Sequence, residues 1–220
     1  VISLVLVVLH PSYAQSASRI TDNRITVLEQ PLPEKKTRDK PGMSLTPSER
    51  YRIEPVRVES GPEINGSLDE EIWQQASIIK NFVQQEPSEG EPATEQTIVR
   101  LLYDAQTLYI GVEAYDSEPT GIIATEKRRD SMRIMDEDHF SIILDTFHDR
   151  RSGYMFVTNP LGAKLEQQVS EEGEGSRFRG SNPNVNINWD GVWEVATEQT
   201  TTGWVAEIGI LMVTLRFPRD

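Results

Sequence analysis

The stretch TLYIGVEAY, residues 107–115, sets Leu108, Ile110, Val112 and Ala114 on one side of an extended chain. Tyr109, Gly111, Glu113 and Tyr115 fall on the other side. A period of two is the signature of a strand with one face turned to a core. The same period continues outward in both directions. Upstream lies QTIVRLLY (96–103). Downstream come HFSIILDTF (139–147), with Phe140, Ile142 and Leu144 aligned, and GYMFVTN (153–159), with Tyr154 and Phe156 alternating against Met155 and Val157. AKLEQQV (163–169), VWEVATEQT (192–200) and GWVAEIGI (203–210) complete seven strands. Turn residues separate most of them: Asp104-Ala105-Gln106, His148 to Ser152, Asn159-Pro160-Leu161-Gly162, and Thr201-Thr202-Gly203. Many short strands with little helix predict an all-β, antiparallel β-sandwich. The helical exception is SLDEEIWQQA (67–76), where Ser67 reads as an N-cap and Glu70 as its capping-box partner.

Before the strands the chain changes character. Residues 1–9 (VISLVLVVL) are apolar apart from Ser3, Pro11 follows, and Ser12-Tyr13-Ala14 places small residues at a cleavage site. This reads as residues 1–14 of a partial signal peptide, since nothing downstream is positioned to pair with it. It is too short to span a bilayer, which takes about 20 residues. Residues 15–50 hold Pro31, Pro33, Pro41 and Pro47 among Lys, Arg, Ser and Thr, and read as a disordered tail. The remainder, 51–220, is long enough for one domain with its own core.

Charge is unevenly spread. The formal net charge is -13. From Gln15 to Arg50 there are seven Lys or Arg against five Asp or Glu; from Tyr51 onward there are fifteen against thirty. So acidic a body repels nucleic acid and anionic lipid, and suits neutral or cationic ligands or Ca²⁺. The chain has no Cys, which fits an exported bacterial envelope protein whose core suffices without disulfides.

Catalytic signatures are missing. Without Cys there is no thiol nucleophile or thiolate metal site. His10, His139 and His148 have no metalloprotease spacing, and neither a GxSxG elbow nor a P-loop occurs. The many carboxylates select no acid–base pair. Two polar stretches interrupt the strands, Arg128–Asp138 and Ser170–Trp189, and long loops on a rigid sandwich are where binding residues sit. In the first, Asp136-Glu137-Asp138 is dense enough in oxygen to hold a structural Ca²⁺, with Asp145 down the following strand and Asp104 and Asp116 in neighbouring turns. In the second, Asn184, Asn186, Asn188 and Asp190 alternate toward Trp189 and Trp193, a pairing of flat indole faces and polar groups that suits a pyranose. Trp193 begins a strand and reads as core; Trp189 stands at the loop edge. Trp73 and Trp204 read as core anchors. Trp189, Asp190, Trp193 and Arg129 are therefore the ligand-binding candidates.

Longer runs carry a resemblance. GPEINGSLDEEIWQQA, with Ile64, Gly66, Leu68, Asp69, Glu70 and Trp73, is similar to the opening of family 9 carbohydrate-binding modules. The runs FVQQEPSEGEPATEQTIVRLLYDAQTLYIGVEAYDSEP, DEDHFSIILDTFHDRRSGYMFVTNPLGA, NWDGVWEVATEQTTTGWVAEIGI and TLRFP extend the match over residues 53–218. They resemble the subgroup placed ahead of an outer-membrane β-barrel in Gram-negative bacteria. The resemblance implies an immunoglobulin-like, jelly-roll-type sandwich. It also implies sugar held between aromatic rings, bound Ca²⁺ at Asp136 and Asp138, and service to polysaccharide breakdown or uptake. The missing barrel would supply the outer-membrane partner, and the chain would sit in the periplasm or at the cell surface. One departure is Ile210-Leu211-Met212, where relatives continue Ile-Pro-Phe. Two other classes stand beside the sugar reading: a purely structural envelope domain, and a b-type haem electron carrier drawing on His139, His148, Met132, Met135 and Met155.

Overall fold

A computed structural model describes residues 3–9, 53–84, 87–88, 90–149, 151–170 and 185–217. The tail assigned to 15–50 and most of the Ser170–Trp189 stretch, Asn184 included, lie outside these. Two sheets face each other. The first runs β1 (Ser3–Leu9), β6 (His139–Asp145), β7 (Gly153–Thr158), β8 (Lys164–Val169), β9 (Val185–Asn186). The second runs β10 (Trp193–Thr200), β11 (Gly203–Leu211), β5 (Thr107–Tyr115), β4 (Thr97–Tyr103), β2 (Val56–Arg57), with β3 (Ser77–Ile79) also on β4. All pairings are antiparallel except that of β2 with β4. The seven strands read from the sequence are β4, β5, β6, β7, β8, β10 and β11, so the all-β sandwich holds.

The core between the sheets is the alternation made solid. Leu108, Ile110, Val112 and Ala114 of β5 meet Phe140, Ile142 and Leu144 of β6, with Tyr154, Phe156, Trp204, Ala206, Ile208 and Ile210. Trp204 and Trp73 are buried, as expected of anchors. The sequence reading did not foresee that the outer faces are covered too. On the first sheet, Ile143, Met155, Val157, Leu165 and Val169 pack under Ile134, which is 1 % exposed. Burying one such side chain contributes about 2 kcal/mol. The segment Met132–Asp136 is thus a 3-10 turn clamped to the sheet, and not a free polar loop.

On the second sheet the cover is the chain before β3. Trp73 packs with Val56, Val58, Leu68, Ile72, Leu102 and Tyr109. It lies over Gly111, where a Cβ would stand 3.1 Å from the indole. The helix expected over 67–76 is a correction: the structure has a 3-10 turn, Glu71–Gln75, with no side-chain cap. The capping residues are engaged elsewhere. Glu70 Oε1 accepts the Glu63 N–H at 3.0 Å, and the Ser67 N–H donates to Asn65 Oδ1 at 2.8 Å. Asn65 and Gly66 donate their N–H groups to Glu207 Oε2, both at 2.8 Å, which shapes the approach to the turn. Gly66 has φ +96°, in the left-handed region, and a Cβ there would press on the Thr197 backbone at 3.2 Å.

A second correction concerns the N-terminal run. Ser3–Leu9 does find a downstream partner, pairing with β6 over seven residues from Ser3↔Asp145 to Leu9↔His139. This pairing bears on folding and says nothing about processing as a leader. Among the described residues, no helix is long and apolar enough to cross a membrane.

Candidate functional site

The site grows out of the register between β7 and β8. Phe156 pairs with Glu166, and Tyr154 with Gln168. Directly paired residues of an antiparallel ladder project from the same face. Glu166 and Gln168 therefore share the inner face with two core aromatics, at the flank of the sheet where the core gives way to polar groups. Read alone, KLEQQV would turn Leu165 and Val169 to the core and Glu166 to water. The structure inverts this, because the outer face has its own apolar cover.

Trp189 lies across those aromatics. Its ring sits 4.7 Å from Tyr154, tilted by 41°, and 5.7 Å from Phe156, nearly edge-on at 76°. Trp193 meets Phe156 edge-on at 5.4 Å. Offset and edge contacts of this kind fix ring orientation. Trp193 is 3 % exposed and belongs to the core, as the sequence indicated, whereas Trp189 is half-buried. Gly191 permits the arrangement, since a Cβ there would stand 2.8 Å from the Trp189 ring. Asn186 and Asn188 beside it are exposed, and the Asn188 N–H donates to Asn186 Oδ1 at 3.1 Å.

Arg129 joins this face from the other polar stretch. Asp130 N–H donates to the Lys164 carbonyl at 2.8 Å, which pins the segment to β8. The Arg129 guanidinium then bridges the buried Glu166 and the exposed Asp190, with Asp130 at 3.7 Å. Three of the four ligand candidates, Trp189, Asp190 and Arg129, are thus brought to one place, with Trp193 as their floor. The sequence missed Glu166, Lys164 and Gln168; only the strand register reveals them.

The electrostatics follow from burial. Burial pushes the Glu166 carboxyl above the ordinary glutamate value, against the pull of the Trp193 indole and the Arg129 charge. Glu166 Oε2 and Trp193 Nε1 are both buried without a well-formed hydrogen bond. Lys164 stands 4.6 Å over the Trp193 ring and donates to the Trp193 carbonyl at 2.5 Å. Burial, then the neighbouring Arg129 charge, lowers its pKa.

The acidic run of the Ca²⁺ expectation has a different arrangement. Its middle residue, Glu137, turns inward and is 7 % exposed. Its carboxylate accepts from the Thr125 N–H and hydroxyl, the Glu126 N–H and Asn159 Nδ2. Burial opposes its charge, but these bonds outweigh it and hold the pKa below the ordinary value. Asp138 Oδ2 accepts the Ile123 N–H at 2.7 Å, and Asp136 is exposed. Among the described residues, no three His, Cys, Asp or Glu side chains gather as a metal-binding group. The haem candidates are scattered in role. Met132, Met135 and Met155 pack in the outer cover, His139 Nδ1 lies 2.7 Å from the Glu137 carbonyl, and His148 is exposed.

Residues 64–220 match the family model described as carbohydrate family 9 binding domain-like. The chain belongs to this family. No curated protein matches it in sequence. Among solved structures, it is similar to a family 9 carbohydrate-binding module from Caldicellulosiruptor kristjanssonii in complex with glucose. The two share 17 % identity at a TM-score of 0.48, over 74 % of this chain and 72 % of that one. A structure of such a module from the same organism with cellotriose gives 17 % identity and a TM-score of 0.47, over 71 % and 66 %. A Bacteroides uniformis structure, described as a candidate carbohydrate-binding protein, gives 10 % identity and a TM-score of 0.52, over 73 % and 72 %. This last likeness concerns the fold alone, and it agrees with the two-sheet sandwich described above.

Proposed function

We propose that this family 9 domain is a non-catalytic carbohydrate-binding module, and that a sugar ring stacks on the half-buried indole of Trp189. The observation that carries the reading is the seating of Trp189 on Tyr154 and Phe156 beside the Arg129–Asp190 ion pair. A flat apolar ring takes the C–H face of a pyranose, and the charged and amide groups around it take hydroxyls. Arg129 offers N–H donors, Asp190 offers acceptors, and Asn186, Asn188 and Gln168 offer both. Family membership supports the same reading.

In this account the module serves an exported envelope protein engaged in polysaccharide breakdown or uptake by glycoside hydrolases. The leader-like run, the absence of Cys and the acidic body support that setting. An outer-membrane β-barrel is the proposed larger partner, with the domain in the periplasm or at the cell surface, and a structural Ca²⁺ at Asp136 and Asp138 is proposed with it.

Calorimetry with the full chain tests the reading, using glucose, cellotriose and a panel of other oligosaccharides, with calcium and then with a chelator. Saturable binding to at least one sugar is expected. Silence across the panel under both conditions would leave a scaffold without a ligand. Heat that disappears with the chelator alone would locate the cation in the binding state.

A further inference from the structure

We propose that the outer edge of β6 is a strand-acceptor slot, filled here by Ser3–Leu9, which releases and retakes an extended apolar strand in antiparallel register. The inference stands apart from the glycan reading.

The first ground is the composition of β6. Sheet edges present unpaired N–H and C=O groups, and proteins protect them by shortness, charge or proline. The other edges of this sandwich show such devices. β9 and β2 are two residues long each. β10 turns Glu194, Glu198, Gln199 and Thr200 to solvent. β6 lacks them along its length except at its end. Of its seven residues, HFSIILD, only the last, Asp145, is acidic; between Phe140 and Leu144 there is no charge and no Pro, and all seven are buried. Phe140, Ile142 and Leu144 enter the main core while Ile143 enters the outer cluster. The strand has the make-up of a sheet interior, so it requires a neighbour on each side.

The second ground is the pairing itself. β1 meets β6 in seven consecutive pairs without a bulge. A tight turn does not impose this register, because Leu9 and His139 pair across most of the chain. The strand is therefore recognised by backbone complementarity and apolar character, which is how β-augmentation selects its ligands.

The third ground is energetic. A tethered seven-residue strand loses conformational entropy on docking that is comparable to what its ladder bonds return. Occupancy is then reversible. The run that fills the slot is the one with a leader's character, so removing it would present β6 as an open site for a strand of the same chemistry.

The test uses the full chain with a protease site inserted after Gln30. After cleavage, the fragment carrying Ser3–Leu9 is expected to co-elute with the body. An isotopically labelled peptide containing SLVLVVL between lysines should displace it, while a scrambled peptide should bind at least tenfold more weakly. Hydrogen exchange along Phe140–Leu144 should quicken at alternate amides when the slot is empty and slow again with the peptide. Unchanged protection of β6 after the fragment has gone would overturn the proposal. So would failure to take up the peptide, equal uptake of the scrambled one, or filling of the edge by a second copy of the body.

Discussion

The Trp73 indole N–H donates to Glu207 Oε1 at 2.8 Å, joining positions 134 residues apart. Glu207 is fully buried, and its other oxygen takes the N–H groups of Asn65 and Gly66. One carboxylate on β11 thereby gathers the turn that begins the domain and the tryptophan that seals the outer face of the second sheet. A buried charge is tolerated because three donors satisfy it.

Glu207→Gln replaces an acceptor-only group with one that points an NH₂ at fixed donors. A loss of roughly 3 kcal/mol is expected, since hydrogen bonds to a buried charge are worth about 1.5–3 kcal/mol each. Trp73→Phe removes one donor and should cost less, about 1–3 kcal/mol. Chemical denaturation of both variants measures the order; equal and negligible losses would remove Glu207 from this role.

Glu137 predicts how the domain answers acid. Its pKa is held below the ordinary value of 4.5, so the folded state releases its proton more readily than the unfolded state does. The stability it contributes is fully present above pH 4.5 and is lost as pH falls through the lowered folded value. Glu126, held low chiefly by Arg128 and Ser131, acts in the same direction. Glu137→Gln should lower the melting temperature at pH 7 and flatten its decline below pH 4.5. A parallel downward shift at every pH would contradict this.

Glu166 runs the opposite way. Its pKa is raised by burial, so the folded state keeps its proton longer than the unfolded state. Its contribution to stability is present below the ordinary value of 4.5 and declines as pH rises through the raised folded value. Glu166→Gln should therefore remove a loss of stability on the alkaline side of 4.5. Melting curves collected across that window against the parent chain decide it, and a variant that keeps the decline would contradict the assignment.

Trp189→Ala separates binding from folding. The ring is half-buried on Tyr154 and Phe156, so its removal should cost on the order of 1 kcal/mol of stability. Sugar affinity should fall about thirtyfold, as for an aromatic anchor worth about 2 kcal/mol. Trp193→Ala empties a core position and should cost about 3–5 kcal/mol. Calorimetry and denaturation of the pair read both quantities; similar losses of stability would merge Trp189 with the core.

The strands were legible because alternation alone assigns a face, and TLYIGVEAY and GWVAEIGI show it plainly. The outer covers were not, because Ile134 and Leu68 sit in segments with no period, and their burial depends on where the chain returns. The site was half legible. Trp189 and Asp190 are neighbours in sequence, and their place at the edge of the core could be read from them. Glu166 could not, since its inward face is set by the β7–β8 register. The helix was misread because Ser67 and Glu70 form a capping pattern, while Asn65 and Glu63 compete for the same partners. The inward turn of Glu137 was not legible, because a sequence shows the carboxylates of residues 136–138 and not the Thr125, Glu126 and Asn159 donors that draw the middle one in.

The indole N–H resonances of the four tryptophans test the central claim most directly. Titrating the full chain with a sugar that binds should move the Trp189 signal progressively, move Trp193 slightly through its contact with Phe156, and leave Trp73 and Trp204 in place. Saturable binding that leaves the Trp189 signal unmoved, or that shifts Trp73 or Trp204 instead, would contradict the account.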